Sequence, residues 1–132
     1  MSDRLYDDFG HRQWLSIEAV SVVGTQSAIA TLVATKQRVP YAAKITAISL
    51  VQTTGGTGAQ SLVARKSLGG TGTLTAFGSY TLGTNADLAG GAFTLVETDF
   101  AAGDHFDIAI AEGTAARTDV INFSIAFEEL PN

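Results

Sequence analysis

The chain has no cysteine, one methionine, one tryptophan and two prolines in 132 residues. The missing thiol excludes a disulfide framework, a thiolate nucleophile and any cysteine-ligated zinc or iron–sulfur centre. Charge is scarce as well. Asp, Glu, Lys and Arg make up 16% of the residues, against about 25% in an average soluble domain. Long apolar runs are missing too. The uncharged stretch 19–35 is interrupted by Ser21, Gly24, Thr25, Gln26, Ser27, Thr31 and Thr35, too polar for a membrane span. The first residues hold Asp3, Arg4, Asp7, Asp8 and Arg12 with no apolar stretch between them, so no secretion signal is read there.

What is abundant is small and neutral: 20 Ala, 16 Thr and 14 Gly, with 45% apolar residues overall. That length and apolar content suit one domain able to bury roughly two-thirds of its unfolded surface. A neutral Thr/Ala exterior fits a chain whose outside becomes subunit interface, because interface cores are depleted of Lys, Glu and Asp. A Thr-rich β protein with no such interface is the alternative. The net charge of −5 is unevenly placed, since residues 87–132 carry nine acids and only Arg117. No cluster of Lys and Arg is available to neutralise phosphates, which argues against a nucleic-acid surface. The asymmetry would suit head-to-tail packing, with acids of one subunit against Lys36, Arg38 or Lys44 of the next; solvated acidic loops are the simpler reading.

Residues 1–13 read as an extended arm carrying Tyr6 and Phe9, and residues 14–132 as a single β domain. From Trp14 onward, apolar alternation is punctuated by Gly/Thr turns. Residues 28–34 have an ambiguous period and are read as a strand between Gly24 and Pro40. Over 44–51, Ile45, Ala47, Ser49 and Val51 share one face, which leaves Ile48 and Leu50 on the other. Over 74–82, Phe77 falls on the Thr/Ser face. The last strand alternates most cleanly, with Ile121, Phe123, Ile125 and Phe127 inward. About eight strands and no convincing helix predict an all-β fold, an eight-stranded antiparallel jelly roll or β-sandwich. Apolar residues on nominally outer faces make Ile48, Leu50 and Phe77 candidates for subunit packing, beside Lys36, Arg38 and Lys44.

Little catalytic chemistry survives inspection. TTGGTG (53–58) and GGTG (69–72) are not followed by Lys-Ser/Thr and a helix, so they read as hairpin loops and not phosphate cradles. Asp99, Asp104, His105 and Asp107 form the densest polar cluster. Asp104 and Asp107 are an odd three residues apart, however, and so face opposite sides of one strand. A turn in which Asp104 accepts backbone amides explains them better than a metal. Arg65-Lys66 splits across the two faces of its strand and reads as an exposed edge pair and not a bidentate clamp. The two histidines, His11 and His105, have no nucleophile elbow to serve. No catalytic residue, cofactor or metal site is assigned.

The succession VPYAAKITAISLVQTTGGTG (39–58), FTLVETDFAAGDHFDIAIAEGT (93–114) and VINFSIAFEEL (120–130) resembles small tailed-phage virion proteins, above all capsid decoration (cement) proteins of the jelly-roll type. The resemblance implies a non-enzymatic homotrimer on the outer surface of a phage head, with the major capsid protein as partner and no nucleic acid or membrane contact. Tyr6, Phe9 and Trp14 are then the attachment candidates. A phage tail or fibre module that binds a receptor or carbohydrate through loops 53–58 and 83–91 is the alternative.

Overall fold

The computed structural model describes residues 12–70, 72–83, 89–96 and 98–130. The elements follow in the order β1 (Arg12–Gln26), β2 (Ala30–Thr31), β3 (Gln37–Arg38), β4 (Ala43–Thr54), β5 (Gln60–Ser67), β6 (Leu74–Leu82), β7 (Ala89–Ala92), β8 (Thr94–Leu95), β9 (Thr98–Phe100), β10 (His105–Ile110) and β11 (Gly113–Glu129). The first sheet runs β1-β11-β4-β7, with β9 also on β4; the second runs β2-β10-β5-β6-β8, with β3 also on β10. All pairings are antiparallel.

Eleven segments occupy eight positions when β2 and β3 count as one interrupted strand and β7 to β9 as another. Their order is then 1-8-3-6 in one sheet and 2-7-4-5 in the other, the jelly-roll arrangement. The segment 89–100 hydrogen-bonds alternately to β4 and β6, so it closes one side of the sandwich. β1 opens at Arg12, inside the segment read as an arm, and residues 1–11 lie outside the described residues.

Alternation builds the core. Ile121, Phe123 and Ile125 of β11 are fully buried against Leu62, Ile108 and Ile110 from the second sheet. Phenylalanine rings line the interior, with Phe100 between Phe77 and Phe106 at centroid distances of 5.5 and 6.0 Å, both edge-on. Such pairs contribute about 0.5–1.5 kcal/mol beyond their burial.

Two expectations about faces are corrected, each by a β-bulge. In β4, Ile45 opposes Phe127 and Ala47 opposes Ala126, so Thr46 is an extra residue. The parity of the strand flips there, and Ile48 and Leu50 turn inward with 0% and 2% exposure. In β6, Ala76 and Gly78 oppose Arg65 and Ala64, leaving Phe77 unpaired in the ladder and turned into the core. All three side chains therefore pack within one chain and present no surface to another. Residues 28–34 also differ from the predicted continuous strand. After β2 a 3-10 turn spans Val33–Thr35, and the buried Thr35 Oγ1 accepts the Ile108 amide at 2.8 Å. A side-chain hydroxyl there takes the place of a ladder hydrogen bond.

A third bulge lies in β1, where Ile17 opposes Phe123 and Val20 opposes Ile121. Ala19 holds φ at +56°, a left-handed conformation that L-residues rarely adopt, and its amide donates to Asn122 Oδ1 at 2.8 Å.

The placement of Ile48 gives a direct check. Ile48→Ala should lower the unfolding free energy by about 2–5 kcal/mol, read from urea midpoints, without changing the native mass. A changed mass at unchanged stability would return Ile48 to an interface.

Candidate functional site

The inward row of β11 does not end with its apolar residues. Continuing the alternation backward from Ile121 puts Asp119 and then Arg117 on the same buried face, both side chains with no exposed surface. Arg117 Nε and Nη2 donate to the two Asp119 oxygens at 2.7 and 2.8 Å, a bidentate pair. Gln52 of β4 donates to Asp119 Oδ2 at 2.8 Å. Arg117 Nη1 reaches across the sandwich to the carbonyls of Leu82 and Gly83 at 3.3 and 2.8 Å, and also donates to the Gly58 carbonyl. The Gly/Thr loop lies against the same arginine: a Cβ on Gly56 would stand 2.9 Å from Arg117 Cβ. That loop closes one end of the barrel-like core over a buried cation.

A second ionic group sits in the second sheet. Arg65 and Asp107 are directly opposed on β5 and β10. Arg65 Nε and Nη2 donate to Asp107 Oδ1 and Oδ2 at 3.0 and 2.7 Å, and Thr31 Oγ1 lies 2.8 Å from both Arg65 Nη2 and Asp107 Oδ2. Arg65 is thus a bidentate clamp in an interior strand, which corrects its reading as an exposed edge residue: the cross-strand partner is invisible without the register. Lys66 points to the other face, as predicted. Its ammonium lies 3.6 Å from Asp104, 5.0 Å from the Phe100 ring centre, and donates to the Asp99 carbonyl.

Asp104 accepts the amides of Gly69 and Ala101, each at 2.9 Å. Burial pushes its carboxyl up. The two amides and Lys66 pull it down further, and the net position is below the ordinary aspartate value. The turn reading of this residue holds, and Asp107 faces the opposite side. Among the described residues no group of three or more His, Asp or Glu is placed to hold a metal.

The outer face of the first sheet is different in kind. Register lines up Trp14, Ala126 and Ala47 in one row and Ser16, Ser124, Ser49 and Ala92 in the next. Trp14 stands over this small-residue surface with 69% of its area exposed; Val51 is exposed on the same sheet. Among the described residues its charge is confined to Glu18 and to one end, where Lys44 of β4 is opposed by Asp99 on one side and Glu128 on the other. Lys44 therefore has acids of its own chain beside it. Lys36 and Arg38 lie elsewhere, on the turn and β3 at the margin of the second sheet. Tyr6 and Phe9 fall outside the described residues.

Sequence inspection thus missed Arg117, Asp119 and the clamp of Arg65. One signal for Arg117 and Asp119 was present: the period-two pattern of the last strand runs through them without a break.

No family model and no curated protein matches the sequence. Among solved structures, a chain from disulfide-linked pili described as Bacillus endospore appendages is similar over 98% of this chain and 100% of its own, at 14% identity and a TM-score of 0.48. PirA is similar over 96% and 100%, at 10% identity and a TM-score of 0.44. At these values neither likeness carries a function to this chain.

Two outcomes follow from the ionic groups. Arg117→Met leaves Asp119 charged and buried, so it should destabilise by about 3–5 kcal/mol; adding Asp119→Leu should restore much of that loss in chemical denaturation. Asp104, with its carboxyl depressed in the fold, stabilises fully above the ordinary aspartate value of about 4. That contribution is lost as pH falls through the lower folded value. The difference in urea midpoint between the native protein and Asp104→Asn should accordingly be largest near neutrality and shrink toward pH 2.

Proposed function

We propose that this chain is a non-enzymatic structural subunit that assembles through the outer face of its first sheet, and that its setting is the outside of a phage head, where it reinforces the capsid lattice. The observation that carries the reading is that face: an exposed tryptophan beside aligned rows of Ser and Ala, with Glu18 the single described charge among them. Small side chains allow close approach of a flat partner with little entropy to lose. Trp is also the side chain most enriched among the energetic centres of interfaces.

The buried ionic groups support the non-catalytic part. Arg117, Asp119, Arg65, Asp107 and Asp104 are each held by structural partners. The sequence resemblance to decoration proteins supplies the finer assignment, with a homotrimer as the assembly and the major capsid protein as the surface bound. Attachment uses Trp14, with Tyr6 and Phe9 as further contacts. Binding only to the assembled lattice displaces it from disassembly by mass action, and three-fold attachment multiplies weak contacts.

Sedimentation with purified phage heads tests this. The native protein should pellet with them. Trp14→Ala and Ser124→Lys should each lower the bound fraction at least about tenfold, the loss of one interface centre, with unaltered melting temperatures. Equal loading of both variants would refute the proposed face.

A further inference from the structure

The outer face of the second sheet carries a feature that assembly through the first sheet does not use. Register places Arg38 of β3, His105 of β10, Ser67 of β5 and Leu74 of β6 in a single row across four strands. Neighbours in such a row are about 4.5–5.5 Å apart at Cα. Two positions along β10, Asp107 and Arg65 form the next row on the same side. Asp107 and the row of Arg38, His105, Ser67 and Leu74, with Thr31 and Lys36, line an open concavity of about 570 Å³. That volume falls within the range of small-ligand sites, about 300–1,000 Å³.

The charges in it are unbalanced. Asp107 is matched by Arg65, so the only carboxylate in the lining is already neutralised. Lys36 and Arg38 have no ion-pair partner among the described residues. Ser67 Oγ accepts the Gly72 amide at 3.3 Å, which leaves its own hydrogen as a donor.

We infer that this concavity binds a small anionic ligand, one presenting a carboxylate or a phosphate. Arg38 and Lys36 supply two positive charges at the rim, and the guanidinium offers paired donors to two oxygens. Ser67 stands in the same row as Arg38 to meet the polar remainder of the ligand. The Arg65–Asp107–Thr31 network in the next row ties β5, β10 and β2 together.

The test is calorimetric and spectroscopic titration of the whole chain with glucuronate, inorganic phosphate and glucose at constant ionic strength. Glucuronate, phosphate or both should bind with a Kd of about 1 mM or tighter, shift the backbone amide signals of Arg38 and His105, and leave glucose without effect. Binding of one anion and not the other identifies its group as the ligand chemistry. Arg38→Ala and Lys36→Ala, both at exposed positions, should each weaken binding about tenfold, the worth of a charge-assisted contact. Lys44→Ala removes the same charge from the other sheet and should change nothing. Absence of binding by either anion up to ~20 mM, or an equal loss in Lys44→Ala, would overturn the inference. None of these readouts involves phage heads, so the site and the assembly face stand or fall separately.

Discussion

Arg117 is the point at which the two sheets and their connecting loops are tied together. Its carboxylate partner Asp119 shares β11 and is itself held by Gln52 of β4, while its remaining nitrogen reaches the carbonyls that end β6. A buried guanidinium demands several acceptors at once. That requirement fixes where the chain must turn: the Gly/Thr loop has to lie flat on the arginine, and Gly24 has to leave room beside it, since a Cβ there would come within 2.6 Å of Arg117 Cγ. The loop's composition is explained by packing and needs no ligand.

Apolar alternation then does most of the remaining work. The inner residues of β11 meet those of β10 and β5 across the sandwich, with bulges in β4 and β6 bringing Ile48, Leu50 and Phe77 into line. What stays outside divides into two surfaces. One is rich in small residues with an exposed tryptophan; the other is concave with unbalanced positive charge.

The all-β class and the jelly-roll arrangement were legible because the period of two and the Gly/Thr punctuation are local properties of the chain. The last strand was read correctly for the same reason. Faces were lost wherever a bulge inserted a residue, as at Thr46, because alternation cannot count an extra residue that it does not see. Arg65 was misjudged because a clamp depends on which residue lies opposite, and register is a long-range fact. Thr35 was passed over because a hydroxyl that replaces a ladder bond leaves no trace in the hydrophobic pattern. Arg117 and Asp119 were readable in principle: their positions continue the inward row, and only their charge argued against placing them there.

The claim at the centre of the account is that the first sheet is covered by a neighbour in the working protein. Among the described residues β1 pairs with β11 alone, so the amides of its free edge exchange readily and slow when a neighbour packed over Trp14 and Ser16 keeps water from that margin of the face. Hydrogen–deuterium exchange followed along β1 at rising protein concentration measures this. The account predicts that exchange in residues 14–23 slows as concentration rises, in step with a native mass above 13.7 kDa. Exchange rates independent of concentration, with the mass fixed at that of one chain, would contradict it.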